Sequence, residues 1–193
     1  PQFVSLMIIS TMFKDNGAAQ KLMRTLGFIG ANENLPFWTN ALWARVTVIV
    51  INVWVGIPYT VMSVTGILKN IPAEQYEAAR IDGASAAQQF TNITLPYMFF
   101  VMTPTLITTF TSNINNFNVI YLLTQGVFVT QNQALAQSNA KEIDLLVTWL
   151  FRLTQDYYNY KMAAVLGIMV FIVCAVFTVV CFHFINKKEA TFS

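Results

Sequence analysis

The sequence predicts an all-α, polytopic transmembrane helical bundle, and three observations carry that prediction. Hydrophobic residues make up 55% of the chain and charged residues 10%, far below the charged quarter of an ordinary soluble domain. The apolar residues are concentrated in four segments, 1–13, 41–68, 97–123 and 162–185. Polar stretches containing Gly, Asn and Pro separate them. A helix needs about 20 residues to cross the hydrocarbon core, so the last three segments are long enough to span with tilt and the first is cut short. Pro1 stands inside an apolar run, without Met and without the basic, apolar and small-residue order of a signal peptide. The chain therefore reads as the C-terminal part of a longer protein, with the first span completed upstream.

Taken in order, residues 14–40 mix charge, Gly, Asn and Pro and read as an aqueous loop with a short amphipathic helix over 20–26. Trp38 and Trp43 then mark the membrane interface, and span 41–68 follows, kinked at Pro58. The polar stretch 69–96 reads as helix, turn, helix. Pro72 suits a first helical turn, AEQYEAARID is rich in helix formers, and Gly83 can take the positive φ that ends one helix and leads to a second over ASAAQQFTNI. Pro96 sets the start of span 97–123, where its missing N–H does no harm. Between 124 and 161 lies a second aqueous stretch, in which Ile143, Leu146, Trp149, Leu150 and Leu153 fall at helical spacing. They predict an amphipathic helix that lies on the membrane or caps the bundle. Span 162–185 and a short polar tail, NKKEATFS, close the chain.

Several function classes drop out. A net charge of +2, with no basic run interleaved with aromatics, excludes a nucleic-acid partner. Cys174 and Cys181 lie seven residues apart on one helix, about 10 Å at 1.5 Å per residue, too far for a disulfide. His183 is the single histidine and has no second His, Cys or carboxylate at metal spacing. No phosphate-binding GxxxxGK[ST] and no Ser/His/Asp or Cys/His set is present, so we expect no catalysis, no cofactor and no metal. Ion-coupled transporters usually keep ionisable groups in mid-membrane, yet no Asp, Glu, Lys, Arg or His occurs in 46–68, 97–123 or 162–182. Any driving energy then comes from another subunit, with sodium sites built from backbone carbonyls as the remaining alternative.

Uncharged polar residues do occur inside the spans. At 100° per residue Asn52, Gly56, Tyr59 and Ser63 form one narrow stripe, and Thr109, Ser112, Asn113 and Asn116 form another, while Asn115 and Asn118 point elsewhere. An unpartnered amide or phenol in hydrocarbon costs a few kcal/mol, so both stripes face the bundle interior. They serve either as interhelical glue or as the lining for a polar, uncharged solute. Asn offers donor and acceptor and Tyr adds an apolar face, a combination suited to sugar hydroxyls and C–H faces.

Glu77-Ala78-Ala79, then Gly83, then Ile93-Thr94-Leu95-Pro96 resembles the EAA-x3-G-x9-I-x-LP signature of the permease subunits of binding-protein-dependent ABC importers. NVWVGIPY at 52–59, TSNINNFNVIYLLTQG at 111–126 and DLLVTWLFRL at 144–153 look like the matching segments of maltose- and maltodextrin-type permeases, and the similarity runs the length of the chain. The resemblance implies the permease fold and an ATP-driven maltose or maltodextrin importer working by alternating access. It implies four partners besides the bilayer: an extracytoplasmic sugar-binding protein, a second permease subunit, an ABC ATPase dimer and the sugar itself. It also implies that Glu77, Ala78, Ala79 and Gly83 belong to a cytoplasmic loop, 69–96, that couples to the ATPase. In the larger permease subunit of that family the residues matching Asn52, Gly56, Tyr59, Thr109, Asn113 and Asn116 line the oligosaccharide site. Thr109 departs from a Ser of the family but keeps the hydroxyl. Val127 stands where Gly-Gly-Pro commonly follows LLT, which leaves the shape of the outer loop open, and Val55 is another variable lining position. With the EAA loop and tail cytoplasmic, the inside carries Lys69, Arg80, Lys187 and Lys188, and the outside Lys14, Lys21, Arg24, Arg45, Lys141, Arg152 and Lys161. That charge balance opposes the positive-inside rule, but the first helices, which usually dominate orientation, precede this segment. A permease for another neutral solute and a non-transporting membrane scaffold are the alternatives.

Overall fold

A computed structural model describes residues 2–124 and 128–192, with side chains described through residue 183; Val127 and the side chains of Lys187 and Lys188 lie outside the described residues. Among the described residues the chain is helical, without a strand: α1 Gln2–Met12, α2 Ala18–Thr25, α3 Ala41–Lys69, α4 Ala73–Ile81, α5 Ala86–Gln89, a π-helical turn Phe90–Thr94, α6 Leu95–Ile114, α7 Phe117–Thr124, α8 Gln133–Gln137, α9 Leu146–Gln155 and α10 Tyr160–Phe192. Among the described residues three stretches are long and apolar enough to cross a membrane: Ala41–Lys69, the composite Ala86–Thr124 and Tyr160–His183. Their apolar side chains are exposed around the helix, as at Trp54, Met62, Phe171 and Val179, which is how a helix reads when lipid or partner helices are its surroundings. The chain divides into two compact units, Pro1–Val53 with Ser112–Ser193, and Trp54–Thr111.

In the first unit α1 packs on α7. Leu6, Val119 and Leu123 are fully buried, and the Ser10 hydroxyl donates to the Leu123 carbonyl at 2.9 Å. Helix α9 packs on α10 through Leu153, Ala163 and Leu166, flanked by Trp149 and Leu150. Of the apolar face predicted for α9, Trp149, Leu150 and Leu153 are used inside this unit, Leu146 is 40% exposed, and Ile143 is buried in the turn before the helix. Loop 14–40 folds over Gln20, a fully buried amide that donates to the Leu35 carbonyl at 2.7 Å and accepts from the Leu35 N–H at 2.9 Å. Trp38, expected at an interface, is instead 4% exposed; its neighbour Phe37 packs edge-on against Phe13 and Trp43.

Two further expectations are corrected. Span 97–123 is not one helix, since α6 ends at Ile114 and α7 starts at Phe117. Asn side chains compete for backbone hydrogen bonds, and a run of them stands at this break. The second helix of the 69–96 loop is also not separate from the span behind it, because α5, the π-helical turn and α6 are continuous. Pro96 cannot donate to the carbonyl of Asn92, and its ring would strike that carbonyl in a regular helix. The wide turn just before it, closed by the Leu95 N–H on the Phe90 carbonyl, relieves that conflict.

Candidate functional site

At the α6–α7 break, the first unit brings three amides together. Asn52 donates to Asn113 Oδ1 at 2.9 Å and accepts from Asn116 Nδ2 at 2.8 Å. Asn116 immediately precedes α7 and its Oδ1 accepts from the Val119 N–H at 3.4 Å, the geometry of a helix N-cap. Asn115, expected to point away from the stripe, donates to Cys174 Sγ on α10 at 3.3 Å. Cys174 and Cys181 are both free thiols. Asn52 and Asn113 thus sit in a network that also terminates one helix and starts the next. Gly56 and Tyr59 lie one and two turns beyond Asn52 on α3, Thr109 one turn before Asn113 on α6, all three in the second unit. Tyr59 is 68% exposed, so its ring is presented outward from α3.

The second unit holds the hairpin. Helix α4 ends in two bonds that close a Schellman motif: the Gly83 N–H on the Arg80 carbonyl at 3.1 Å and the Ala84 N–H on the Ala79 carbonyl at 2.8 Å. Gly83 has φ +77, the left-handed conformation that this motif demands. The motif commonly pairs small or apolar residues three before and two after the cap, here Ala79 and Ala84, both half-buried. Glu77 and Ala78 are exposed, and next to them Ile81 is 87% exposed. Helix α5 then starts on a capping box, with Ser85 accepting from the Gln88 N–H and Gln88 Oε1 from the Ser85 N–H.

A third cluster, in the first unit, was missed by the reading of charges as loop solvation. Asp144 and Arg152 form an ion pair with side chains only 9% and 12% exposed. Asp144 also accepts from the Lys141 N–H at 2.7 Å and from the Thr148 hydroxyl at 3.0 Å. A cavity of about 140 Å³ lies beside the pair, walled in part by Tyr121, Thr124, Lys141 and Asp156. Burial pushes the Arg152 guanidinium below its ordinary pKa, against the opposing pull of Tyr157 and Asp156. Lys141 is likewise lowered, by burial and then by the Arg152 charge, with Asp156 opposing. The legible signal was the four-residue spacing of Asp144, Thr148, Arg152 and Asp156, a polar stripe beside the apolar one.

Glu142 ties this region to the start of α3. Its carbonyl accepts from Arg45 Nε at 3.0 Å and Nη2 at 2.7 Å. Its carboxylate accepts from the Gln131 and Asn132 N–H groups, at 3.0 and 2.8 Å, and from the Thr130 hydroxyl. Burial raises the pKa of that carboxyl, but the hydrogen bonds from Thr130 and the backbone outweigh it and hold the group below the usual range. Among the described residues no group of His, Cys, Asp and Glu is arranged to hold a metal ion.

Long apolar helices and a helical hairpin between two of them together describe an integral-membrane component. Residues 1–189 match the family described as binding-protein-dependent transport system inner membrane component, and the chain belongs to that family. It is 41% identical over 169 residues to the galactooligosaccharides transport system permease protein GanP of Bacillus subtilis, covering 88% of this chain and 39% of that protein. To the maltodextrin transport system permease protein MdxF of the same organism it is 36% identical over 179 residues, with coverages of 88% and 39%. To the maltodextrin transport system permease protein MalC of Streptococcus pneumoniae it is 34% identical over 189 residues, covering 94% and 42%. The chain thus spans about two fifths of the length of these relatives. Its fold matches a chain in the crystal structure of a bacterial alginate ABC transporter in complex with alginate pentasaccharide-bound periplasmic protein, with TM-score 0.78 at 22% identity over 96% of this chain and 60% of that one. The permease fold expected from the sequence is therefore present.

Proposed function

We propose that this chain is part of the permease subunit of an ATP-driven importer for a neutral oligosaccharide, with maltodextrins as the cargo. The observation that carries this reading is the combination of span interiors without Asp, Glu, Lys, Arg or His, over 46–68, 97–123 and 162–182, with an amide cluster at a helix break. Such a surface recognises hydroxyls through donors and acceptors and gives a carboxylate or phosphate no cation to pair with. Asn52, Gly56, Tyr59, Thr109, Asn113 and Asn116 line the path. A second permease completes it, a binding protein delivers the sugar from outside, and an ATPase dimer grips the hairpin through Glu77, Ala78, Ala79 and Gly83. Galactooligosaccharides are the second reading, favoured by the 41% identity to a permease named for them.

Tyr59→Ala tests the lining most cleanly. The ring is exposed, so its removal opens no cavity, whereas Asn113 also accepts from Asn52 and its loss disturbs two amides. The expected loss of sugar uptake is about 1–3 kcal/mol, or roughly fivefold to a hundredfold, with the complex assembled as before. Uptake of labelled maltotriose and galactotriose by the full importer, each competed by the other, separates the two cargoes. Normal uptake of both sugars in Tyr59→Ala would leave that stripe as packing alone.

Orientation is tested separately. With the hairpin and C-terminus cytoplasmic, a cysteine at the exposed Gln75 should react with an impermeant thiol reagent only in inverted vesicles. One at the exposed Gln133 should react in intact cells. The reverse labelling pattern would overturn the topology and the coupling role together.

A further inference from the structure

Helix α4 meets the helix that continues into the membrane at two places. One is the backbone turn at Gly83, closed by the Gly83 and Ala84 N–H groups on α4 and held from the other side by Gln89 Nε2 on the Ala84 carbonyl at 2.9 Å. The other is a hydroxyl pair: Tyr76 Oη and Thr94 Oγ1 lie 2.8 Å apart. Tyr76 immediately precedes Glu77 on the half-buried side of α4, and Thr94 is 8% exposed in the last position of the π-helical turn. The wide turn adds a residue ahead of Pro96, which rotates the following face of the helix relative to a regular one. It is from this turn, and not from the regular helix beyond, that the bond to α4 is made.

We propose that the Tyr76–Thr94 pair is the latch that fixes the angle of α4 on the base of α6. A displacement of α4 is then carried into the span instead of being absorbed at the turn around Gly83. The inference rests on the reading of the hairpin as the ATPase contact, and it adds the element that makes such a contact mechanically useful. An attachment at the C-terminal turn alone leaves the rest of α4 free to swing about that turn. A second, separate attachment removes that freedom. Tyr76 and Thr94 are positioning residues in this scheme, since their hydroxyls face each other and the groups offered to a partner are the exposed ones beside them.

The test uses the full-length subunit assembled with its sister permease and ATPases in lipid nanodiscs, with binding protein and sugar added. Tyr76→Phe keeps the ring and removes the hydroxyl. Its expected result is full ATPase content, an unchanged melting temperature and unchanged basal hydrolysis. The ratio of stimulated to basal hydrolysis should fall about threefold to tenfold, the range set by one lost hydrogen bond. Thr94→Val should do the same, Thr94→Ser should restore the ratio, and the double variant should be no worse than either single one. A wild-type ratio in Tyr76→Phe, or single effects that multiply in the double variant, would overturn the latch while leaving the transport function in place. Absence of stimulated hydrolysis in the wild-type complex would instead overturn the coupling reading, and the latch with it.

Discussion

Gly83→Val is expected to strip the ATPase subunits from the purified complex or to reduce sugar-stimulated hydrolysis at least about tenfold. Residue 83 has φ +77, a region where a β-branched side chain costs on the order of 1–3 kcal/mol, and tenfold corresponds to about 1.4 kcal/mol. Open space surrounds the position, so the damage is backbone strain and not collision. That distinction supplies the control: Gly83→Asn, which tolerates the left-handed region, should keep most of the function although it is as bulky as Val. Relieving the strain in Val means abandoning the two bonds from Gly83 and Ala84 that close α4. The direction in which α5 leaves α4 then changes. Full ATPase content and normal stimulation in Gly83→Val would show that the angle of this hairpin does not matter.

Asp144→Ala should be the most destabilising single change in the first unit. Asp144 is the counter-ion of Arg152, and it accepts two further hydrogen bonds, from the Lys141 N–H and the Thr148 hydroxyl. Removing one partner of a buried ion pair leaves an uncompensated charge at a cost of about 3–5 kcal/mol. Asp156 pulls on the same guanidinium, which places the expected loss toward the lower end. The guanidinium Nε has no hydrogen-bond partner among the described residues, so the charge has little else to lean on. Because α9 is held to α10 by Leu153 and the residues around it, the variant should melt at lower temperature and expose 146–155 to protease. Asp144→Ala combined with Arg152→Met should recover much of the loss, since replacing a buried pair with apolar groups is often near neutral. An unchanged melting temperature in Asp144→Ala would mean that the pair contributes nothing.

The sequence by itself determined the class of the molecule, the placement of its long apolar helices and the hairpin between two of them. These rest on local or compositional physics: twenty apolar residues have few stable alternatives to a membrane helix, and a glycine that closes a helix is legible because only glycine takes φ +77 without strain. Helical periodicity also put Asn52, Asn113 and Asn116 on polar faces. What it could not supply were the partners of those faces, because a stripe on one helix does not say which group on another will meet it. Only the tertiary structure decided that Asn52 bridges Asn113 and Asn116, that Leu153 of α9 packs on α10, and that Trp38 is buried. The π-helical turn is intermediate. Pro96 announces a conflict with the carbonyl four residues back, but whether the chain answers with a kink, a break or a wider turn depends on what the rotated side chains find, and here Thr94 finds Tyr76. The ion pair of Asp144 and Arg152 was spelled in four-residue steps, yet charges on an aqueous stretch are solvated unless another element covers them, and coverage is a property of the folded chain alone.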